Sequence, residues 1–185
     1  AGSAVRIVAT QEERVMIGNG DVGFASNIPD ASVVDWNVFR PGKPLVDPET
    51  GAVLGQEAFY LGRARLIQPG EPATLRITEA KEEIFRGDQL LPAPPATVPS
   101  FVPRRPEGEI AGSIMALYGD KTEGGTGSVI TINRGRLDGL EIGNVVAVWR
   151  VRSAKAYDAN LRRIEVPIPE ERYAVAFVFR TFDRV

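Results

Sequence analysis

Residues 75–90 carry the pattern that decides the fold: Leu75-Arg76-Ile77, then Glu82-Glu83, then Gly87-Asp88-Gln89-Leu90. The pattern occurs earlier as Val5-Arg6-Ile7, Glu12-Glu13 and Gly20-Asp21-Val22, and a looser third copy runs from Ile130-Thr131-Ile132 to Leu140-Glu141-Ile142-Gly143-Asn144-Val145-Val146. Glycine tolerates positive φ at little steric cost, and Asp or Asn caps a nearby backbone N–H. The repeat therefore predicts three turns, each leading directly into a strand.

A second repeated element is typical of a long hairpin. Val38-Phe39-Arg40 leads through Asp47 to Glu57-Ala58-Phe59-Tyr60, and Val148-Trp149-Arg150 leads through Asp158 to Glu171-Arg172-Tyr173. Pro48-Glu49-Thr50-Gly51 marks the tip of the first hairpin, whereas the second tip has no comparable turn signal. The predicted fold class is mainly β, with two related β-rich halves built from repeated strand–Gly-Asp/Asn turn–strand units and long hairpins.

The predicted organisation is two halves joined by a proline-rich linker. Residues 1–91 form the first half (turn unit, hairpin, turn unit), residues 92–106 the linker, and residues 107–185 the second half (turn unit, hairpin). Prolines within the linker cannot donate to a sheet ladder and favour extended polyproline geometry. The linker is therefore interpreted as a spacer that lies on the surface.

The last strand, Tyr173 to Phe182, is apolar on both faces. An uncovered edge of this kind promotes aggregation, so we expect a further element beside it. The expectation is that the second half is truncated at its C-terminus and lacks about one turn unit, on the order of 20 residues by the spacing of the repeat. The alternative is that Val5 to Ala25 fills this place.

Composition excludes several classes of site. The 185 residues include neither histidine nor cysteine, which removes the Ser-His-Asp triad, the thiolate nucleophile and the usual zinc ligands. A formal net charge of −2 argues against a dedicated nucleic-acid binder, and no apolar run approaches the roughly 20 residues that span a bilayer. We therefore predict a non-enzyme with no catalytic residues, no transition-metal site, no cofactor and no membrane span. Calcium stays open through carboxylates and carbonyls.

Two tryptophans and a basic hairpin supply the candidate ligand-binding residues. Trp36 is a candidate for stacking on a sugar ring or for core packing, whereas Trp149 lies on an apolar strand face and is predicted to be core. The basic side chains of the second hairpin would attract an anionic polymer or protect a solvated strand edge; they are Arg150, Arg152, Lys155, Arg162 and Arg163.

Two further motifs have simpler interpretations. The stretch from Gly124 to Ser128 lacks the Gly-Lys-Ser/Thr ending of a phosphate-binding loop and precedes a strand, which favours a hairpin tip. The tripeptide Arg86-Gly87-Asp88 matches an adhesion motif, but it belongs to the repeated turn. Carboxylates are plentiful, and a glycosidase-like pair among them stays open because nothing in the sequence nominates two of them.

Three stretches resemble the region downstream of the LysM module in certain Gram-negative LysM-containing envelope proteins. They are the run from Val38-Phe39-Arg40-Pro41-Gly42 to Asp47-Pro48-Glu49-Thr50-Gly51, the run Gly87-Asp88-Gln89-Leu90-Leu91-Pro92, and the run from Asn133-Arg134-Gly135 to Glu141-Ile142-Gly143. LysM itself binds the N-acetylglucosamine-containing backbone of peptidoglycan, and no LysM repeat is found in these residues. The resemblance implies an exported protein of the periplasm or cell envelope, and it supplies no catalytic residues.

Three functions follow as hypotheses. The favoured one is a non-catalytic module that acts beside a peptidoglycan-binding LysM domain as a scaffold or protein-interaction unit, with an envelope protein as its partner. The second is direct binding of peptidoglycan glycan by this module. The third is a hydrolase built from carboxylates, which the absence of histidine makes least favoured. An exposed Trp36 beside polar groups would favour glycan, and a flat apolar patch would favour a protein partner.

Overall fold

The computed structural model describes residues 4–94, 102–119 and 121–185. The chain divides into two compact units, which we call the barrel unit (Ala1–Val98 with Leu117–Val129) and the hairpin unit (Pro99–Ala116 with Ile130–Val185). Part of the predicted linker, residues 95–101, lies outside the described residues. Strands make up 52% of the structure and helix only 3%, which confirms the mainly β prediction.

Eight strands and one short 3₁₀-helix build the barrel unit. They are β1 (Arg6–Thr10), the 3₁₀-helix Gln11–Glu13, β2 (Met16–Ile17), β3 (Val22–Ser26), β4 (Asp35–Val46), β5 (Val53–Gln68), β6 (Ala73–Ala80), β7 (Ile84–Phe85) and β8 (Gln89–Pro92). Six of them close into a barrel in the order β1-β3-β6-β5-β4-β8, and β2 pairs with β7 separately. Successive side chains of a strand point to opposite faces of the sheet, so every second side chain points into the barrel.

The barrel interior is a continuous apolar core. Ile7 of β1, Leu75 of β6 and Trp36 of β4 have no exposed surface, and the ring nitrogen of Trp36 donates a hydrogen bond to the carbonyl of Val33 at 3.0 Å. A buried indole N–H needs such a partner. The stretch Leu117–Val129 also belongs to this unit, since the Tyr118 hydroxyl accepts a hydrogen bond from the amide of Tyr60 at 3.0 Å.

The three predicted turns share one hydrogen-bond geometry. A side-chain oxygen of the Asp or Asn accepts from the amide three residues earlier: Gly18 N to Asp21 Oδ2 at 2.9 Å, Phe85 N to Asp88 Oδ2 at 2.8 Å, and Glu141 N to Asn144 Oδ1 at 2.8 Å. The preceding glycines, Gly20, Gly87 and Gly143, have φ of 86°, 100° and 96°. Glycine adopts positive φ at little steric cost, and the Asp or Asn side chain accepts the hydrogen bond. Each turn therefore requires both residues of its Gly-Asp or Gly-Asn pair.

Each turn of the barrel unit docks on the strand that opens the other repeat. The amide of Gly20 donates to Ile77 O and the amide of Ile77 donates to Asp21 O, both at 2.9 Å. In the same way, Gly87 N donates to Ile7 O at 2.8 Å and Ile7 N donates to Asp88 O at 2.9 Å. The two repeats therefore interlock about a pseudo-twofold relation, with β2 and β7 paired between them.

The second turn carries an additional charged anchor. Arg40 of β4 donates to both carboxylate oxygens of Asp88, at 2.9 and 2.8 Å, and to the carbonyl of Glu83 at 2.9 Å. Asp88 is buried, and its hydrogen bond raises the pKa of the Arg40 guanidinium. A bidentate pair with a buried carboxylate holds both groups in one geometry. This anchor ties the turn to the hairpin of β4 and β5.

The hairpin unit contains one short and one long two-stranded ladder. Its elements are β9 (Ile114–Leu117, of which Leu117 is counted with the barrel unit), β10 (Ile130–Ile132), a 3₁₀-helix at Arg136–Asp138, β11 (Val145–Tyr157) and β12 (Arg163–Phe177). β9 pairs with β10, and β11 pairs with β12. Gly143 N donates to Val178 O at 2.8 Å and Val178 N to Asn144 O at 2.9 Å, so the third turn docks after β12 as the first docks on β6.

The start of β11 reproduces the register of β3. Beyond the first turn, Val22 pairs with Arg76 and Gly23 with Leu75; beyond the third, Val145 pairs with Phe177 and Val146 with Ala176. The alternative in which Val5 to Ala25 covers the last strand is wrong, because β1 pairs with β3 and β8, and β3 with β1 and β6. Both β1 and β3 therefore already have a neighbouring strand on each side within the barrel.

Both hairpin tips are capped by an aspartate. Asp47 Oδ1 accepts from the amide of Glu49 at 3.0 Å, and Asp158 Oδ1 accepts from the amide of Asn160 at 2.8 Å. Gly51 supplies the positive φ at the first tip, 73°, whereas Leu161 takes φ of 59° at the second. The second tip lacked a turn signal because a leucine occupies the left-handed position where glycine is usual.

We predict that Gly20→Ala and Gly87→Ala each lower the free energy of unfolding by about 1 kcal/mol, because a Cβ at positive φ is strained. Neither position has an atom within 4 Å of an added Cβ, so the effect isolates the backbone. Gly18→Ala, in equally open space without positive φ, is the control, with a change within about 0.5 kcal/mol. Equal losses at Gly18 and Gly20 in denaturant titrations would contradict the turn geometry.

Candidate functional site

Trp36 is not available for stacking on a sugar ring. Its side chain is 0% exposed and packs in the barrel core with Val38 and Leu90. The polar neighbours Asp35 and Asn37 suggested a surface position, but alternation along β4 turns the residue between them inward. Trp36 is therefore a core residue, and the surface-site interpretation of it is wrong.

Trp149, in contrast, lies on the surface. It was predicted to be core, yet it is 53% exposed. Its neighbours on the same side of β11, Val145, Ala147 and Val151, form the apolar alternation that suggested burial. The prediction of a buried Trp149 is wrong because β11 and β12 form a two-stranded ladder, and no third strand of residues 102–119 and 121–185 joins it.

One side of this ladder carries most of its exposed apolar side chains, and we call it the open face. Val145 pairs with Phe177, Ala147 with Val175 and Trp149 with Arg172, and directly paired residues share a face of an antiparallel ladder. The apolar residues of the open face are Val145, Ala147, Trp149, Val151, Val175 and Phe177, and Arg172 lies among them. Val151 is 74% and Val175 56% exposed. Exposed apolar surface that is contiguous marks an interaction site more often than scattered single residues do.

A groove of about 970 Å³ runs along the open face. One wall is formed by β11, and another by β10 and the segment 105–114. The apolar lining includes Ile130 and Ile132 together with Trp149, and the polar lining includes Arg105, Glu107, Glu109, Arg134 and Glu170. The lining is about as polar as it is apolar, and an open groove of this kind would suit a peptide segment, a protein edge or a sugar chain.

The predicted basic residues are brought onto one hairpin but not into one cluster. The Arg150 guanidinium stacks 4.0 Å over the ring of Tyr173, and Arg152 Nη2 donates to Glu171 Oε2 at 2.9 Å. Lys155 pairs across the ladder with Glu165, while Arg162 and Arg163 lie at the tip. Carboxylates on β12 thus offset bases on β11, and the arrangement favours the solvated, protected edge over a site for an anionic polymer.

The other two motifs are accounted for by local geometry. In the glycine-rich stretch, the amide of Gly125 donates to Ser128 Oγ at 3.0 Å, so that amide serves the turn itself. The carboxylate of Asp88 is buried in its pair with Arg40, which an adhesion contact through Arg86-Gly87-Asp88 would have to break. Both motifs are structural.

Neither a metal-binding cluster nor a membrane-spanning helix is found in the residues that the structure describes. No group of three or more His, Cys, Asp or Glu side chains there is placed to hold a metal ion. In the same residues, no helix is long and apolar enough to cross a membrane. The predictions of no metal, no cofactor and no enzymatic activity stay predictions.

Comparison with known proteins adds no assignment: no protein-family model matches the chain, and no curated protein matches it. The candidate site is the groove and open face of the hairpin unit. The signal for it was present in the sequence as the alternation Val145, Ala147, Trp149, Val151, opposite Arg150 and Arg152. Alternation identifies an apolar face, but it does not tell whether the same chain covers that face.

The two tryptophans give a matched test of their assigned environments. Trp36→Ala should lower the free energy of unfolding by about 3–5 kcal/mol, because it leaves a large cavity in the barrel core. Trp149→Ala, in dilute solution, should change it by less than about 0.5 kcal/mol, as at other exposed sites. Denaturant titration followed by circular dichroism measures both. A loss of several kcal/mol at Trp149 would mean that the open face is covered within the chain.

Proposed function

We propose that the chain is a non-catalytic module of a Gram-negative cell envelope, acting beside a peptidoglycan-binding LysM domain as a scaffold or protein-interaction unit. The single observation that carries the interaction function is the open face of β11 and β12, with Trp149 at its centre and the groove along β11.

The exposure of the hairpin to water favours a protein partner. An isolated two-stranded hairpin is marginal in water, and three or more strands or a packed face are needed for stability. β11 and β12 extend over 13 and 15 residues, and most of their side chains are exposed. Burial of apolar surface contributes about 25 cal/mol per Å², so a partner that covers the open face stabilises the hairpin as it binds.

The envelope location rests on the resemblance of Val38–Gly51, Gly87–Pro92 and Asn133–Gly143 to the region downstream of LysM modules. The structure gives these stretches structural roles: the first forms much of β4 and its tip, and the others contain the second and third turns. In this chain they are therefore framework residues. Ligand binding by the module is therefore assigned to the open face and not to these three stretches.

Direct glycan binding is the second candidate, and one observation favours it. Trp149 is half-exposed in a groove that also contains Arg105, Glu107, Glu109 and Glu170. An aromatic face beside charged hydrogen-bonding groups is a suitable platform for a sugar ring. The extended apolar surface of Val151, Val175 and Phe177 is better matched by a protein, which places glycan second.

Sedimentation with purified peptidoglycan distinguishes the two candidates. We expect the chain alone to stay in the supernatant and the chain joined to a LysM module to pellet, with Trp149→Ala changing neither result. Retention of the chain alone that is lost in Trp149→Ala, but kept in the exposed control Val166→Ala, would favour the glycan candidate and overturn the proposal.

Photo-crosslinking tests the protein-interaction part directly. A photoreactive side chain at Val151, which is 74% exposed on the open face, should give protein adducts in Gram-negative cells that export the LysM-joined chain. The same group at Leu161, 83% exposed at the hairpin tip, is the control and should give fewer. Absence of adducts at position 151 would count against a protein-interaction function.

A further inference from the structure

We propose that the open face is the interface of a symmetric dimer, so that the partner of the hairpin unit is a second copy of this chain. The inference rests on the proposed protein-interaction function and names its partner. Three observations carry it: the area of the open face, the protection of both strand edges, and the distribution of charge between β11 and β12.

The area of the open face matches the core of a standard interface. An aromatic side chain carries about 150–250 Å² of surface, and Trp149 and Phe177 are 53% and 39% exposed. Together with Val151 and Val175, the exposed apolar surface amounts to roughly 400 Å² by the same scale. A standard interface buries about 800 Å² on each partner, of which a little over half is apolar. The open face therefore supplies the apolar share of one such interface.

The edges of the ladder are protected against strand addition, which leaves the face. β12 contains Pro167 and Pro169, and prolines on an edge strand present no N–H to an added strand. β11 has no proline, but antiparallel pairing with β11 of a second copy about Val151 would place Arg150 opposite Arg152. Like charges directly opposite each other destabilise a ladder. Contact through the face avoids both obstacles.

Charge makes the face complementary to itself. The charged residues of β11 are all basic (Arg150, Arg152 and Lys155), whereas those of β12 are acidic on balance, with three glutamates (Glu165, Glu170 and Glu171) against Arg163 and Arg172. A twofold axis parallel to the strands lays β11 of one copy over β12 of the other. Lys155 and Glu165 pair across the ladder and lie on the same side of it as Trp149. In the dimer each Lys155 therefore meets Glu165 of the second copy.

Trp149 lies at the centre of this arrangement. Its direct partner across the ladder is Arg172, so the twofold axis lays Trp149 of each copy over Arg172 of the other. Tryptophan and arginine side chains near the centre of an interface are the usual source of most of its binding energy.

Sedimentation equilibrium of the full chain tests the dimer. We expect a monomer–dimer equilibrium between about 1 and 100 μM, where interfaces of this size commonly associate. Trp149→Glu should raise the dimer dissociation constant by about 100-fold or more, as for a central anchor. Val166→Glu, on the opposite side of the ladder, should leave it within about twofold. A monomer throughout the range, or equal effects of the two variants, overturns the inference.

A mixing experiment keeps the inference falsifiable if Trp149→Glu does not fold. Lys155→Glu alone and Glu165→Lys alone each place like charges across the proposed interface, and each should weaken the dimer by about tenfold. Mixing the two single variants restores opposite charges between copies, so the heterodimer should form with near wild-type affinity. The pair within each chain is unchanged by mixing, and absence of recovery therefore overturns the contact.

The outcome is separable from that of the proposed function. Crosslinking from Val151 to another envelope protein, with the chain monomeric in sedimentation, overturns the dimer and supports the interaction function. Crosslinks between two copies that are lost in Trp149→Glu support both.

Discussion

The exchange of two backbone hydrogen bonds between a Gly-Asp or Gly-Asn turn and a facing strand residue is the constraint on which the structure depends. Gly20-Asp21 docks on Ile77, Gly87-Asp88 on Ile7, and Gly143-Asn144 on Val178. Each exchange fixes the register of the strand that follows its turn, because a slip by one residue would turn every apolar side chain of that strand outward. The barrel core and the long hairpin ladder both begin at these docked turns.

The repeat has different consequences in the two units. In the barrel unit each docked turn meets a strand of the other repeat, and β4 and β5 complete a closed cylinder with no free edge in its ring. In the hairpin unit the same turn opens a ladder of two long strands whose apolar side lies along a groove. One local motif thus opens both a closed barrel and a two-stranded ladder with exposed apolar side chains.

Local features were predictable from the sequence, and long-range coverage was not. The turns at Gly20, Gly87 and Gly143 and the first hairpin tip follow from residue chemistry, because positive φ and Asx capping are set within four residues. The sequence left Trp36 open between a surface site and the core, and it predicted a buried Trp149, which is wrong. Strand alternation gives the side on which a residue lies, whereas burial depends on elements distant in sequence: β8 and β6 help to enclose Trp36, and no described strand covers Trp149.

The interlocking of the two barrel repeats also governs how the chain acquires its fold. Arg6 pairs with Gln89, so the first strand has its second neighbour only when residues more than 80 positions away are in place. The hairpin of β4 and β5, whose strands adjoin in sequence, closes a much shorter loop. Contacts between distant residues slow folding because loop-closure entropy is lost before the contact forms. We therefore expect the hairpin of β4 and β5 to form early and the pairing of β1 with β8, which closes the barrel, to form late.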